Sequence, residues 1–306
     1  MRRSERTYLF LVRWLRLRFS PEILPRLVRS DLGSEEKSAL FSFVQAFLSG
    51  GHTYKETARR RTRIADAEVL VLCDGLDSPV VLEVGASDGA SSLVLKEALD
   101  GSATLILTDR YPGYSRRGVP GFRLYLDVDR FWISVKILGI FYLFLGSNLR
   151  FRKSGSPIST ENPALEEHGI GLRKEPFDMF HDVRTPPVDV IKCSNLLHHD
   201  YFSPGEVREA LWNLGASLRD GGHLVISQNH PKYEGGEAVS VFRRQARQLS
   251  FLRQSNSPDI LPPPPGWGTG PPRVGQAGRE SSCPLFVKTK RVAWFAKLPA
   301  TNSVGR

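Results

Sequence analysis

The chain has 306 residues, 41% of them hydrophobic and 24% charged, enough for one large globular domain with appendages or two small ones. Its three cysteines, Cys73, Cys193 and Cys283, are widely separated, which argues against a disulfide framework or a cysteine-based zinc site and suits a reducing cytoplasm. The net charge of +10 is uneven: residues 1–66 hold 14 Lys/Arg against 7 Asp/Glu, residues 67–230 hold 16 against 21, and residues 231–306 hold 12 against 4. Basic flanks around a mildly acidic middle attract anionic surfaces, either nucleic acid or phospholipid headgroups. Solvated basic ends are the simpler reading, and nucleic acid is not the expected partner.

The first 20 residues do not read as a cleavable leader. The apolar run Tyr8 to Val12 is short, and Arg13, Arg16 and Arg18 break up the residues after it. They read instead as a basic, aromatic-rich helix that packs on the core or lies at a membrane interface. Ser34-Glu35-Glu36-Lys37 opens a helical pattern through Leu40, Phe41, Val44 and Phe47, which Gly50-Gly51 stops. A second helix is expected over Tyr54 to Leu72, with Arg59-Arg60-Arg61 exposed. Residues 1–66 therefore form a basic helical region, and a second unit spans 67–255.

That second unit opens on Val80 to Ser92. An apolar strand (Val80–Val84) breaks into the loop Gly85-Ala86-Ser87-Asp88-Gly89, and a helix comes next over Ser91–Leu99. Glycines let a backbone approach a ligand closely, and the next helix presents unpaired N–H groups. The spacing is Glu-x-Gly-x-x-x-Gly, not the Gly-x-Gly-x-x-Gly of dinucleotide binders. A strand at Ala103–Thr108 ends at Asp109, and another covers Val188–Ser194. A helix at about Pro204–Leu218 and a strand at His223–Ser227 come next. Alternation of this kind predicts an α/β fold: a Rossmann-like, largely parallel sheet with helices on both faces. Glu237–Phe242 and Gln248–Leu252 alternate like strands and predict an antiparallel hairpin at the sheet edge. Residues 256–306 start with a Pro/Gly-rich segment that predicts a flexible tail.

An insertion at about 112–157 separates the second and later strands. Its centre, Phe131–Gly146, is strongly apolar but only 16 residues long, short of the ~20 needed for a helical span. It reads as a buried β-ribbon, Phe131–Leu138 and Ile140–Leu145, or as a prong that docks on membrane.

The run VVLEVGASDG, the strand-ending Asp109, and the pieces SNLLHH and LRDGGHLVIS resemble the class I S-adenosylmethionine (SAM)-dependent methyltransferases. The resemblance covers roughly residues 80–255 apart from the insertion. It implies SAM as cofactor, with Glu83, Gly85, Ala86, Ser87, Asp88 and Gly89 around the methionine end and Asp109 on the ribose hydroxyls. Asp182 and Val183 are then candidates for the adenine, with Asp178 a competing choice, and Ser194 and Asn195 line the methionine side. His198 and His199 are candidate general bases, because imidazole titrates near neutrality. No metal is expected there: His198, His199 and Asp200 are adjacent in sequence and point apart.

The motifs do not name the acceptor. A small molecule, a glycan or a lipid-linked compound is expected, with peripheral membrane contact through residues 1–20 and 131–146 and a cytoplasmic, membrane-associated location. No Asn-Pro-Pro-Tyr-type strand end points to amino-group or nucleobase methylation. A non-catalytic Rossmann-like protein that binds SAM or a nucleoside is the first alternative, and an NAD-dependent oxidoreductase the second. The glycine spacing and the lack of an obvious Tyr-Lys pair speak against the latter.

Overall fold

The computed structural model describes residues 22–46, 60–110, 156–168, 172–198 and 202–256, together with short strands at 18–19, 113–119, 122–126, 131–137 and 141–147. In chain order the elements begin with β1 (Arg18–Phe19), α1 (Ile23–Val28), α2 (Ser34–Ala46), α3 (Arg63–Cys73), β2 (Val80–Val84), α4 (Ser92–Leu99) and β3 (Thr104–Asp109). Strands β4 (Gly113–Val119), β5 (Phe122–Leu126), β6 (Phe131–Ile137), β7 (Phe141–Ser147) and β8 (Ser156–Ser159) form the next stretch. Then come a 3-10 turn at Pro163–His168, β9 (Leu172–Pro176), β10 (Val188–Ser194), α5 (Pro204–Ala216), β11 (Leu218–Asn229), β12 (Glu237–Gln245) and β13 (Gln248–Ser255).

The principal sheet runs β13-β12-β11-β10-β2-β3-β9. Its five strands from β9 to β11 are parallel, and β12 and β13 add an antiparallel hairpin at one edge. Numbered along the chain within this sheet, the order is 3-2-1-4-5-6-7, so the winding reverses between β2 and β10. This is the Rossmann-like, doubly wound α/β arrangement, and its ligands sit beyond the carboxyl ends of the strands at that switch point.

Parallel strands are covered on both faces, so they carry nearly continuous apolar runs. On one face Val81, Leu105, Leu107, Val190 and Val225 pack against Ala65 and Val69 of α3 and Leu95 and Leu99 of α4. Both helices bury residues at a spacing of four, the stripe an amphipathic helix turns to its core. On the other face Leu82, Ile106, Ile191 and Ile226 meet Val207, Ala210, Leu211 and Leu214 of α5. Helix α5 is started by a capping box in which Ser203 and Glu206 exchange hydrogen bonds, with Pro204 in its first turn.

The expected strands at Val80–Val84 and Val188–Ser194 have those bounds, and the edge hairpin forms as β12 and β13. Between β3 and β9 the insertion builds an antiparallel sheet in the order β1-β7-β6-β5-β4-β8. The ribbon expected at 131–145 is there as β6 and β7, paired from Phe131 opposite Ser147 to Ile137 opposite Phe141.

Three features differ from the sequence reading. Arg18 and Phe19, expected in the N-terminal helix, form a short strand antiparallel to β7 and pair with Tyr142 and Phe141; the rest of that helix lies outside the described residues. Of the helix expected over Tyr54 to Leu72, the described part begins at Arg63 as α3, with 60–62 in a turn, and residues 54–59 lie outside the described residues. Helix α3 also continues across the expected boundary at 66/67, with Ala65 packed in the core of the sheet. The tail beyond 256 lies outside the described residues.

Candidate functional site

The loop Gly85–Gly89 leaves β2 at the switch point. Gly85 (φ +71°) and Gly89 (φ +84°) take left-handed conformations that favour glycine, and Ser87 joins them at φ +58°. Space matters as well. A Cβ on Gly85 would stand 2.4 Å from the Leu196 side chain, and one on Gly89 would stand 2.7 Å from Leu165. Leu196 belongs to the segment after β10 and Leu165 to the 3-10 turn on the far side of the insertion. The two glycines therefore let neighbouring segments close on the loop.

The loop is fastened by polar contacts from distant parts of the chain. Asp88, fully buried, accepts from the Ser42 hydroxyl at 2.6 Å and from the Ala90 amide at 3.1 Å. The Asn162 side-chain amide donates to Ser42 Oγ at 3.0 Å and to the Ser38 carbonyl at 3.1 Å, and the Asn162 backbone N–H donates to the Asp88 carbonyl at 2.9 Å. The Asp88 carboxylate, grouped by sequence with the cofactor contacts, thus ties the loop to α2 and to the insertion's return. A buried carboxylate met by donors of its own chain holds the loop's backbone shape.

Asp109 ends β3 and accepts from the Ser87 amide at 2.9 Å through Oδ2, which fixes the loop across two strand ends. Lys174, from β9, reaches the same corner: its ammonium lies 3.4 Å from the Ser87 carbonyl and 3.7 Å from Glu161. Burial lowers the Lys174 pKa, against the pull of Glu161, Asp109 and Asp88.

Glu83 stands one strand-face repeat before Gly85. It is 3% exposed, and its Oε1 accepts from the Lys192 ammonium at 3.0 Å. Lys192 lies in register with it on β10 and is completely buried. The same ammonium contacts Asp66 Oδ1 at 2.6 Å and Thr62 Oγ1 at 3.0 Å, which anchors the start of α3 on the sheet. Since Thr62 is turned toward this cluster, Glu237 of β12 caps α3 in its place, accepting from the Ile64 amide at 2.7 Å. Glu83 Oε2, also buried, has no hydrogen-bond partner among the described residues.

The adenine candidates sit elsewhere on the rim. Asp182 is exposed, and its Oδ2 accepts from the Asp178 amide at 2.6 Å, closing the turn 178–182. Asp178 accepts from the Phe180 amide and pairs with Arg110 at 3.0 Å. Both acids are engaged in the loop's own shape. That loop still borders the site, because the Phe177 amide donates to the Asp109 carbonyl at 3.3 Å. Val183 is an exposed apolar residue beside it.

At the end of β10, Ser194 Oγ accepts from Ser227 Oγ at 2.9 Å. Asn195 (φ +58°) donates to Asn229 Oδ1 at 2.6 Å and accepts from the Asn229 amide at 2.7 Å. These side chains, expected to line the methionine side, join the ends of β10 and β11. His198 is half-buried and its carbonyl accepts from the Phe202 amide; His199 lies outside the described residues.

No protein-family model matches the chain, and no curated protein matches it. Solved structures do, at low similarity. YcgJ from Bacillus subtilis is 14% identical with a TM-score of 0.32, over 55% of this chain and 51% of that one. Phosphoethanolamine N-methyltransferase 1 from Haemonchus contortus is 18% identical at 0.33, over 57% and 28%. CalS10, an amino pentose methyltransferase from Micromonospora echinaspora, is 17% identical at 0.30, over 60% and 64%. The chain thus spans less than two thirds of each of these structures. Strand order and the glycine loop, not these likenesses, establish the fold class.

The residues present suit SAM at two places. At the end of β2, where the amino acid end would lie, Glu83 has a buried carboxylate oxygen without a hydrogen-bond partner among the described residues, next to the glycine loop. At the ribose end, Asp109 closes the neighbouring strand. Lys192, Asp66, Thr62, Ser42, Asn162 and Glu237 were not singled out from sequence. The one signal was a lysine in the apolar run Val188–Ser194, where a core strand ordinarily carries none.

Proposed function

We propose that this chain is a SAM-dependent methyltransferase. The observation that carries the reading is Glu83 Oε2, a buried carboxylate oxygen without a partner among the described residues, at the switch point of a doubly wound sheet. Such an oxygen is costly unless a donor meets it in the working state. The ammonium of an amino acid is a donor of the right charge.

In this reading Glu83 and the Gly85–Gly89 backbone hold the amino acid end, and Asp109 holds the ribose. The cofactor supplies a sulfonium methyl group that is already activated for transfer. The chain's own task is positional: to align an acceptor with that methyl group and exclude water. His198 is the described residue best suited to take a proton from an acceptor hydroxyl or amine. The acceptor is a small molecule, a glycan or a lipid-linked compound. The apolar sequence of β6 and β7 supports the lipid-linked choice. No described helix is long and apolar enough to cross a membrane.

A binding protein without turnover is the second reading. It is favoured by one observation: Ser194 and Asn195, at the end of β10, are engaged within the protein.

Calorimetric titration with SAM and with S-adenosylhomocysteine tests the cofactor. Wild type should bind both and Gly85→Val neither; failure of wild type to bind either sinks the proposal. Transfer of labelled methyl groups to panels of small molecules, glycans and lipids then separates an enzyme from a binding protein.

A further inference from the structure

Packing alone does not account for Lys192. Its strand neighbours Val190, Ile191 and Cys193 are buried and apolar. A methionine would fill similar volume without the desolvation cost of an ammonium. The ammonium has three N–H donors, and three acceptors surround it: Thr62 Oγ1, Asp66 Oδ1 and Glu83 Oε1. Burial opposes its charge, but the two carboxylates outweigh burial and raise its pKa, so it stays protonated. Two carboxylates share this one cation. Burial therefore leaves Asp66 with a raised pKa in spite of Lys192.

The arrangement is asymmetric at Glu83. One carboxylate oxygen is fixed by the lysine and the other is buried and unmet among the described residues. Thr62 and Asp66 of the α3 start hold the same ammonium, so all three of its donors are engaged away from Oε2.

We propose that Lys192 is a positioning residue for the cofactor site, fixing Oε1 of Glu83 so that Oε2 receives the ammonium of the bound amino acid arm. This rests on the SAM reading above. Lys192 does not itself touch the cofactor; it acts through Glu83.

Two ligands isolate the effect. S-Adenosylhomocysteine carries the amino acid arm, and 5′-methylthioadenosine shares the adenosine and the sulfur but lacks the arm. Calorimetric titration of both is made on wild type, on Lys192→Met, and on the double variant Asp66→Asn with Lys192→Met. The double variant neutralises Asp66, one of the two carboxylates that the single one strands, so it keeps the test open if Lys192→Met does not fold. The expected result is roughly a tenfold to hundredfold weaker affinity for S-adenosylhomocysteine, the worth of one charge-assisted hydrogen bond, with methylthioadenosine binding within about twofold of wild type. Equal weakening of both ligands, or no weakening of either, overturns the proposal, because Lys192 would then be a structural residue only. Wild type that binds neither ligand overturns the cofactor reading itself, and this inference with it.

Discussion

The Ser42 hydroxyl donates to Asp88 Oδ2 at 2.6 Å, joining helix α2 to the glycine loop across 46 residues of sequence. Nothing in this contact touches the strand ends directly. It nevertheless sets the loop's path, because Asp88 also accepts from the Ala90 amide and its backbone carbonyl accepts from the Asn162 amide.

Ser42→Ala should lower stability by about 1–2 kcal/mol, since Asp88 keeps its other donors but loses its shortest hydrogen bond. Asp88→Ala should cost more, about 3 kcal/mol, because the Ser42 hydroxyl and the Ala90 amide are left buried without the carboxylate they donate to. Urea denaturation gives both values. Hydrogen exchange should locate the loosening at residues 85–90.

Gly85→Ala meets two obstacles, a left-handed φ of +71° and the Leu196 side chain 2.4 Å from the new Cβ. The backbone part should cost about 1–3 kcal/mol. Adding Leu196→Ala removes the clash but not the strain. The double variant should therefore recover part of the stability lost on the Gly85 background, a coupling that a thermodynamic cycle measures. Strict additivity would mean that the two residues do not meet.

Glu237 provides a pH test. Burial raises its pKa above the ordinary 4.5, against the helix amides and Ser227 that favour the carboxylate. A carboxyl group with a raised folded pKa contributes most below its unfolded pKa, and that contribution is lost as pH climbs through the folded value. The stability advantage of wild type over Glu237→Gln should thus shrink from pH 4.5 upward. Denaturation midpoints at a series of pH values check the sign; a growing advantage would contradict it.

Cys193 and Cys73 should be inert in the native protein. Burial pushes the Cys193 thiol to about 12, despite the Leu197 amide, and burial with the nearby Asp189 pushes Cys73 to about 11. Thiolate is the reactive form. A Cys283→Ser variant should show no rapid thiol labelling at pH 8 until denaturant is added.

The core strands and the glycine loop were readable from local pattern. Apolar runs of four to seven residues, punctuated by Gly and Asp, declare strand and turn through propensities that act over a few residues. Val80–Val84 and Val188–Ser194 appear at those bounds for that reason. Even the β6–β7 ribbon reflects the aromatic and β-branched content around Gly139.

The partners of the site's polar atoms were not readable. Asp88 looked like a ligand contact by its place in the loop, yet Ser42 and Asn162 enclose it from 46 and 74 residues away. Asn195 looked available until β11 brought Asn229 against it. Lys192 shows the limit most clearly: Glu83 lies 109 residues off and Thr62 lies 130 off. A sequence states which residues carry charge, while register between strands and the docking of α3 decide which charges meet. That decision is collective, because a buried ion is tolerable only when several segments close on it together. The glycine loop could therefore be recognised from Val80 to Ser92 alone, but the setting of the buried Glu83 carboxylate beside it needed the whole sheet.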